Sequence, residues 1–181
     1  MPISTESSPA APLKLREVMC SPTLLVATWF GSGLAPLASG TFGSLAALPF
    51  VWLLMQLSIP LALLLTVFLF FLGVATGRVL GQRMAEPDHG AIVVDEVVGV
   101  LLAVLLPGWL LAGWVPGYVF LMGGFIAFRA YDILKPWPVS YFDKRWKNAW
   151  GVMLDDVFAG LMAAAVVAMA VILSTFLVPA N

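Results

Sequence analysis

The chain has 181 residues, of which 61% are hydrophobic and only 10% charged, with a mean hydropathy of +1.00. Soluble domains carry about 25% charged residues, so this composition excludes an ordinary soluble globule and indicates one compact integral membrane domain. The net charge of −1 gives no electrostatic case for nucleic-acid binding, and the single Cys20 excludes an intramolecular disulfide.

The polar, Pro/Ser-rich start of the chain makes a poor signal peptide, with Lys14 and Arg16 as its only bases. Residues 1–20 are expected to be a flexible cytoplasmic tail, and residues 21–181 a single membrane-embedded helical domain. Three stretches then lack any Asp, Glu, Lys or Arg: Val18–Gly77 (60 residues), Val97–Phe128 (32) and Val157–Asn181 (25). Charge is costly in hydrocarbon, and a spanning helix needs about 20 apolar residues. The first gap reads as a helical hairpin, Leu45–Leu57 and Leu61–Thr76, turning at Ser58-Ile59-Pro60. The second reads as a shorter hairpin, Val97–Leu106 and Tyr118–Phe128, around a Pro/Gly-rich turn. Val157–Val178 makes one further crossing. The expected fold is therefore all-α: a small polytopic bundle of about five membrane-associated helices, two hairpins plus a C-terminal span. The first and third helices are short for a full span.

All nine bases lie in Lys14–Arg16, Arg78–Arg83 and Arg129–Lys147, and the acids lie in or beside the same regions. Lys and Arg accumulate on the cytoplasmic side, which places the clusters and the N-terminus there and the C-terminus outside. Trp109, Trp114 and Tyr118, near the second outer turn, suit either an interfacial belt or packing toward lipid.

Three pieces are dense in polar groups where helices begin or end. Gly31–Ser44 is a Gly-rich loop opening a helix, a setting that favours anions, with Thr41 and Ser44 as added donors; a plain capped helix start explains it as well. Asp88-His89-Gly90 is followed by Asp95-Glu96, acids that suit a helix dipole. Beside apolar residues they also suit a divalent cation that offsets their desolvation. His89 is the only histidine, a possible acid/base or an incidental loop residue. In the third piece Arg129 and Asp132 share a helix face, and Lys135-Pro136-Trp137-Pro138 ends that helix. Asp155 and Asp156 open the last helix. Arg129 and Lys135 are candidate phosphate binders, or they form ion pairs and reach headgroups. Asp95-x-x-x-Gly99 and Asp156-x-x-x-Gly160 share a spacing that would let a neighbouring helix approach closely. The topology brings all three pieces to one side, where Asp95, Glu96, Asp132, Asp155 and Asp156 converge with two bases and the Gly-rich loop. That is an inventory for Mg²⁺-assisted chemistry at phosphate.

These motifs resemble the phosphatidylglycerophosphatase A family. The matching stretches are Gly31-Ser-Gly33 with Ser39-Gly-Thr-Phe-Gly-Ser44, Asp88-His-Gly90 with Val94-Asp-Glu-Val-Val-Gly99, Arg129-Ala-Tyr-Asp-Ile-Leu-Lys-Pro-Trp-Pro138, and Gly151-Val-Met-Leu-Asp-Asp156 with Ala159-Gly160. They span about residues 25–165; the family usually has proline where Ser39 stands. The resemblance implies a bacterial inner-membrane enzyme with its active site facing the cytoplasm. Such an enzyme hydrolyses phosphatidylglycerophosphate to phosphatidylglycerol and inorganic phosphate in phospholipid biosynthesis, with Mg²⁺. On that basis Asp95, Glu96 and Asp156 are expected to hold the metal, with Asp132 or Asp155 as a further ligand or base. Thr41, Ser44, Arg129 and Lys135 would take the substrate phosphate, and His89 is a lesser acid/base candidate. No protein partner is expected. A small transporter coupling cations through the acids is the competing class, but it requires polar groups near the bilayer midplane, and the spans have almost none.

Overall fold

The structure, a computed structural model, is described over residues 12–177. It is helical, and among the described residues the only strand-like feature is an isolated bridge between Ala112 and Val115. In chain order the helices are α1 (Leu15–Met19), α2 (Pro22–Ala27), α3 (Ser39–Leu54), α4 (Ile59–Met84), α5 (Val94–Leu110), α6 (Gly117–Leu134), α7 (Val139–Arg145) and α8 (Ala149–Leu177). A 3₁₀ turn, Ser32–Leu34, precedes α3. Helices α4, α6 and α8 are long and apolar enough to cross a membrane. Helices α3 and α5 have 16 and 17 residues, about 25 Å of rise against a hydrocarbon core of about 30 Å.

Two helix–turn–helix pairs and a C-terminal helix form the bundle, as expected. Helix α5 is its centre. It is apolar on every side, the pattern of a helix buried in a core, and Val97, Val100, Leu101, Ala103 and Val104 are sealed from solvent. Within the first pair, α3 packs on α5 and α6, whereas α4 packs on α2, α5 and α8. The two arms therefore share α5 as a partner. Leu61, Leu64, Val67, Phe68 and Phe71 of α4 remain exposed, the outward apolar surface of a helix solvated by lipid. Of the three aromatics near the α5–α6 turn, Trp114 and Tyr118 are exposed, whereas Trp109 is partly buried.

The helices run further than the uncharged stretches suggest. α4 continues through Arg78 and Arg83, and α6 through Arg129 and Asp132. α8 starts at Ala149, so Asp155 and Asp156 lie in its second turn and do not open it. The reason is local: Asn148 Oδ1 accepts the N–H groups of Trp150 (2.9 Å) and Gly151 (3.1 Å), capping the helix seven residues before Asp155.

The segment expected to be a tail falls partly on residues 1–11, outside the described residues. Of its remainder, Lys14, Leu15, Arg16 and Met19 are exposed and two residues tie the segment down. Val18 is fully buried, and Glu17 pairs with Arg83 of α4 at 2.5 Å. One charge of this segment, Glu17, thus closes against the charged end of α4.

Candidate active site at the charged end of the bundle

Asp95 and Glu96 stand in the first turn of α5, and Asp156 in the second turn of α8. One carboxylate oxygen from each lies within 4.8 Å of the others. Asp95 is 6% exposed and Asp156 3%, so these acids have little water to screen them.

Two glycines allow this approach. Gly99 and Gly160 lie one turn beyond Asp95 and Asp156, where α5 and α8 cross. A Cβ on Gly160 would meet the Gly99 backbone, and one on Gly99 would run into the Phe128 ring and come within 3.0 Å of the Asp156 carbonyl. The repeated acid-x-x-x-Gly spacing is thus a helix crossing that sets the acids side by side.

Helices α3 and α6 close the site from the other side. Arg129 Nη1 donates to Asp132 at 2.7 Å along one helix face and faces Ser44 Oγ at 3.5 Å. The Ser44 hydroxyl donates to the Gly40 carbonyl (2.8 Å). Asp132 also neighbours Asp156. Gly40, in the first turn of α3, is a residue that the sequence offers only as one of several loop glycines. A Cβ there would collide with the Glu96 carboxylate and stand 3.2 Å from Arg129 Nη1. The absent side chain lets α3 sit directly over the acids. Thr41 is half-buried at the same helix start, with no side-chain hydrogen bond among the described residues.

Lys135 is expected at the phosphate, but its ammonium is already engaged. Nζ donates to Asp143 Oδ1 (2.5 Å) and Asp155 Oδ2 (3.1 Å), joining the end of α6 to α7 and α8. Burial pulls the Lys135 pKa down, but the Asp143 hydrogen bond and the Asp155 charge outweigh it, and the net shift is upward. Burial pushes Asp143 up, and its bond to Lys135 more than reverses this, leaving it below the usual carboxylate range. Asp143 carries no sequence signal beyond its place in a charged cluster, because its partner lies eight residues away across a proline-broken turn. Asp155 is therefore held at the site's edge by Lys135. His89 lines a separate recess with Gly33, Ser39 and Met84, and its Nδ1 accepts the Ala91 N–H (3.1 Å).

The charge distribution decides what the acids can do. Among the described residues every ion pair leaves Asp95, Glu96 and Asp156 without a base. Glu96 Oε2 and Arg129 Nε are buried with no hydrogen-bond partner. Uncompensated buried charge is costly, so an all-oxygen set of this kind suits a hard divalent cation. The unpaired face of Arg129 suits an anion beside it.

Fold and site together define a polytopic membrane enzyme with a carboxylate-lined centre at one end of a helical bundle. The chain belongs to the phosphatidylglycerophosphatase A family, whose profile matches residues 25–171, and it is a phosphatase. It is 38% identical to the phosphatidylglycerophosphatase A of Escherichia coli K12, over 84% of this chain and 86% of that protein. It is also 38% identical to the protein of that name from Haemophilus influenzae, over 90% and 94%. A Bacteroides thetaiotaomicron protein named as a putative phosphatidylinositol-3-phosphatase is 34% identical over 81% of this chain and 92% of its own length. No solved structure matches the chain.

Proposed function

We propose that the protein is a Mg²⁺-dependent lipid phosphatase that hydrolyses phosphatidylglycerophosphate to phosphatidylglycerol and inorganic phosphate. It would act in the bacterial inner membrane with the charged end and N-terminus in the cytoplasm. The observation that carries this reading is the set of three carboxylates within 4.8 Å, none paired with a base, beside a partly unpaired arginine. The names of the E. coli and H. influenzae relatives supply the substrate. The confinement of bases to one end of the bundle supports the orientation.

Asp95, Glu96 and Asp156 are the residues that would hold Mg²⁺. When bound, the ion neutralises charge on the phosphoryl oxygens and favours deprotonation of water. Arg129 takes the phosphate monoester through its free Nε edge, with the Ser44 and Thr41 end of α3 facing the same anion. Asp132, fixed by Arg129 at 2.7 Å beside Asp156, accepts the proton of the attacking water. The water oxygen bonds to phosphorus, the phosphorus–oxygen bond to glycerol breaks, and the leaving alkoxide takes the proton that Asp132 accepted from the water. Lys135 acts one step back, holding Asp155 and α7 in place.

A cation-coupled transporter would need these acids near mid-bundle, and they cluster at its charged end. Phosphate release by the purified protein from phosphatidylglycerophosphate, with Mg²⁺ and then with EDTA, tests the proposal. Release that stops with EDTA and returns with added Mg²⁺ is expected. Metal-independent release, or none from this lipid, overturns it.

A further inference from the structure

A second cavity, of about 790 Å³, lies between α4 and the start of α8 and belongs to none of the chemistry above. Its α4 wall is one helical stripe that changes character along its length. Phe71, Val74 and Ala75 are apolar; Arg78 and Gln82 follow one and two turns later. The α8 wall brings Trp150 opposite the apolar part, 6.1 Å from the Phe71 ring centroid, and Lys147 on the basic side. Arg78 and Lys147 make no ion pair among the described residues, although Arg83, five residues after Arg78, does.

The gradient has the polarity of a phospholipid at a membrane surface: hydrocarbon toward the middle of α4, negative charge toward its charged end. Charge complementarity selects an anion at the basic part, and the aromatic walls select acyl chains. The groove also borders a recess beside the site. It shares Pro87 and Lys147 with a smaller recess of about 250 Å³ whose wall includes Asp155, the neighbour of Asp156. That recess carries Glu86, Asp88, Asp143 and Asp155, so a bare anion is repelled there and is better held at the two bases.

We infer that the α4–α8 groove seats the diacylglycerol-phosphodiester half of the lipid substrate, with Arg78 and Lys147 on the bridging phosphate. This rests on the lipid phosphatase reading above and adds to it a site for the part of the substrate that does not react. A reaction at a phosphate monoester can thereby discriminate a membrane lipid from a soluble phosphate, because binding energy from the remote half is gained only by the lipid.

The test is lipid retention by the purified full chain in detergent, read by native mass spectrometry, with phosphatidylglycerol and phosphatidylcholine in competition. The wild type is expected to prefer phosphatidylglycerol. Arg78→Gln with Lys147→Gln is expected to lower that preference on the order of tenfold, and Arg78→Lys with Lys147→Arg to keep it. Ala75→Trp, which fills the apolar part without touching charge, is expected to lower retention of both lipids. In hydrolysis, the double Gln variant is expected to raise KM for the lipid substrate far more than it lowers kcat. Unchanged preference in the double Gln variant, or equal retention of phosphatidylcholine by the wild type, overturns the assignment. Selective phosphatidylglycerol retention without hydrolysis of the phosphorylated lipid would count against the phosphatase substrate and leave the groove standing. Hydrolysis with an unaltered KM in the double Gln variant would do the reverse.

Discussion

Gly160 of α8 rests on the backbone of Gly99 of α5, so closely that a Cβ on Gly160 would stand 3.1 Å from both the Gly99 Cα and its carbonyl carbon. The obstacle is backbone on both sides, and neither helix can yield by rotating a side chain. Gly160→Ala must therefore part the helices one turn from Asp156. Overpacking of this kind costs about 1–3 kcal/mol, and the separation widens the carboxylate cluster as well. Thermal unfolding in detergent and phosphate release should both fall. Gly123→Ala is the control, because its Cβ would make an ordinary 3.7 Å contact with Val167. Equal tolerance of the two substitutions would remove the crossing from the account of the site.

Three carboxylates this close repel one another unless a cation or protons lie among them. Asp95→Asn should consequently act in opposite directions on stability and on catalysis. Without metal, at a pH that ionises all three acids, the variant relieves repulsion and its thermal midpoint should rise by a few degrees above that of the wild type. With Mg²⁺, the wild type should gain stability through ligand binding while the variant gains little. Phosphate release should drop on the order of 10³-fold, and Asp156→Asn should behave in the same way. Variants that keep near wild-type turnover would sink the assignment of these acids to the metal.

Gly40→Ala separates local helix energetics from the site. Alanine in a helix is favoured over glycine by about 0.5–1 kcal/mol, so α3 itself gains. The new methyl group would nonetheless collide with the Glu96 carboxylate and crowd Arg129 Nη1. Glu96 is the flexible partner and must swing away, which removes one of the three clustered oxygens. The expected result is a fold at least as heat-resistant as the wild type with phosphate release reduced more than tenfold. Undiminished activity would show that Glu96 can leave the cluster without consequence.

The convergence of Asp95, Glu96, Asp132 and Asp156 is legible in the chain because long charge-free stretches fix the number of crossings. A fixed number of crossings fixes which helix ends meet. Paired acid-x-x-x-Gly spacings add the crossing point of α5 and α8. What escapes is what only a third dimension decides. Gly40 cannot be told from its neighbouring glycines until α3 is laid over Glu96. Lys135 looks available for phosphate until α7 brings Asp143 to its ammonium. The start of α8 is displaced toward the N-terminus by a single capping residue, Asn148, which carries no hydrophobic pattern. The segment Leu15–Met19 reads as polar tail because its one buried anchor, Val18, is too short a signal to register.

The Lys135–Asp143 pair gives a prediction in pH. Lys135 is shifted above its ordinary 10.5, so its contribution to stability is complete below 10.5 and is lost only as pH rises through the higher folded value. Asp143 is shifted below its ordinary 3.8, so its contribution is complete above 3.8 and is lost as pH falls through the lower folded value. Between these limits both groups remain charged. Asp143→Asn should therefore destabilise the protein by a constant amount across about pH 5.5 to 8.5, about 0.5–1 kcal/mol for a partly exposed pair. Lys135 keeps Asp155 as a partner at 3.1 Å, so the helix ends stay joined and phosphate release should fall only modestly. Unfolding curves at three pH values within that window measure the penalty. A penalty that vanishes throughout about pH 5.5 to 8.5 would mean that this ion pair does not tie α6 to α7, and one that changes within the window would mean that Asp155, on the same ammonium, titrates with it.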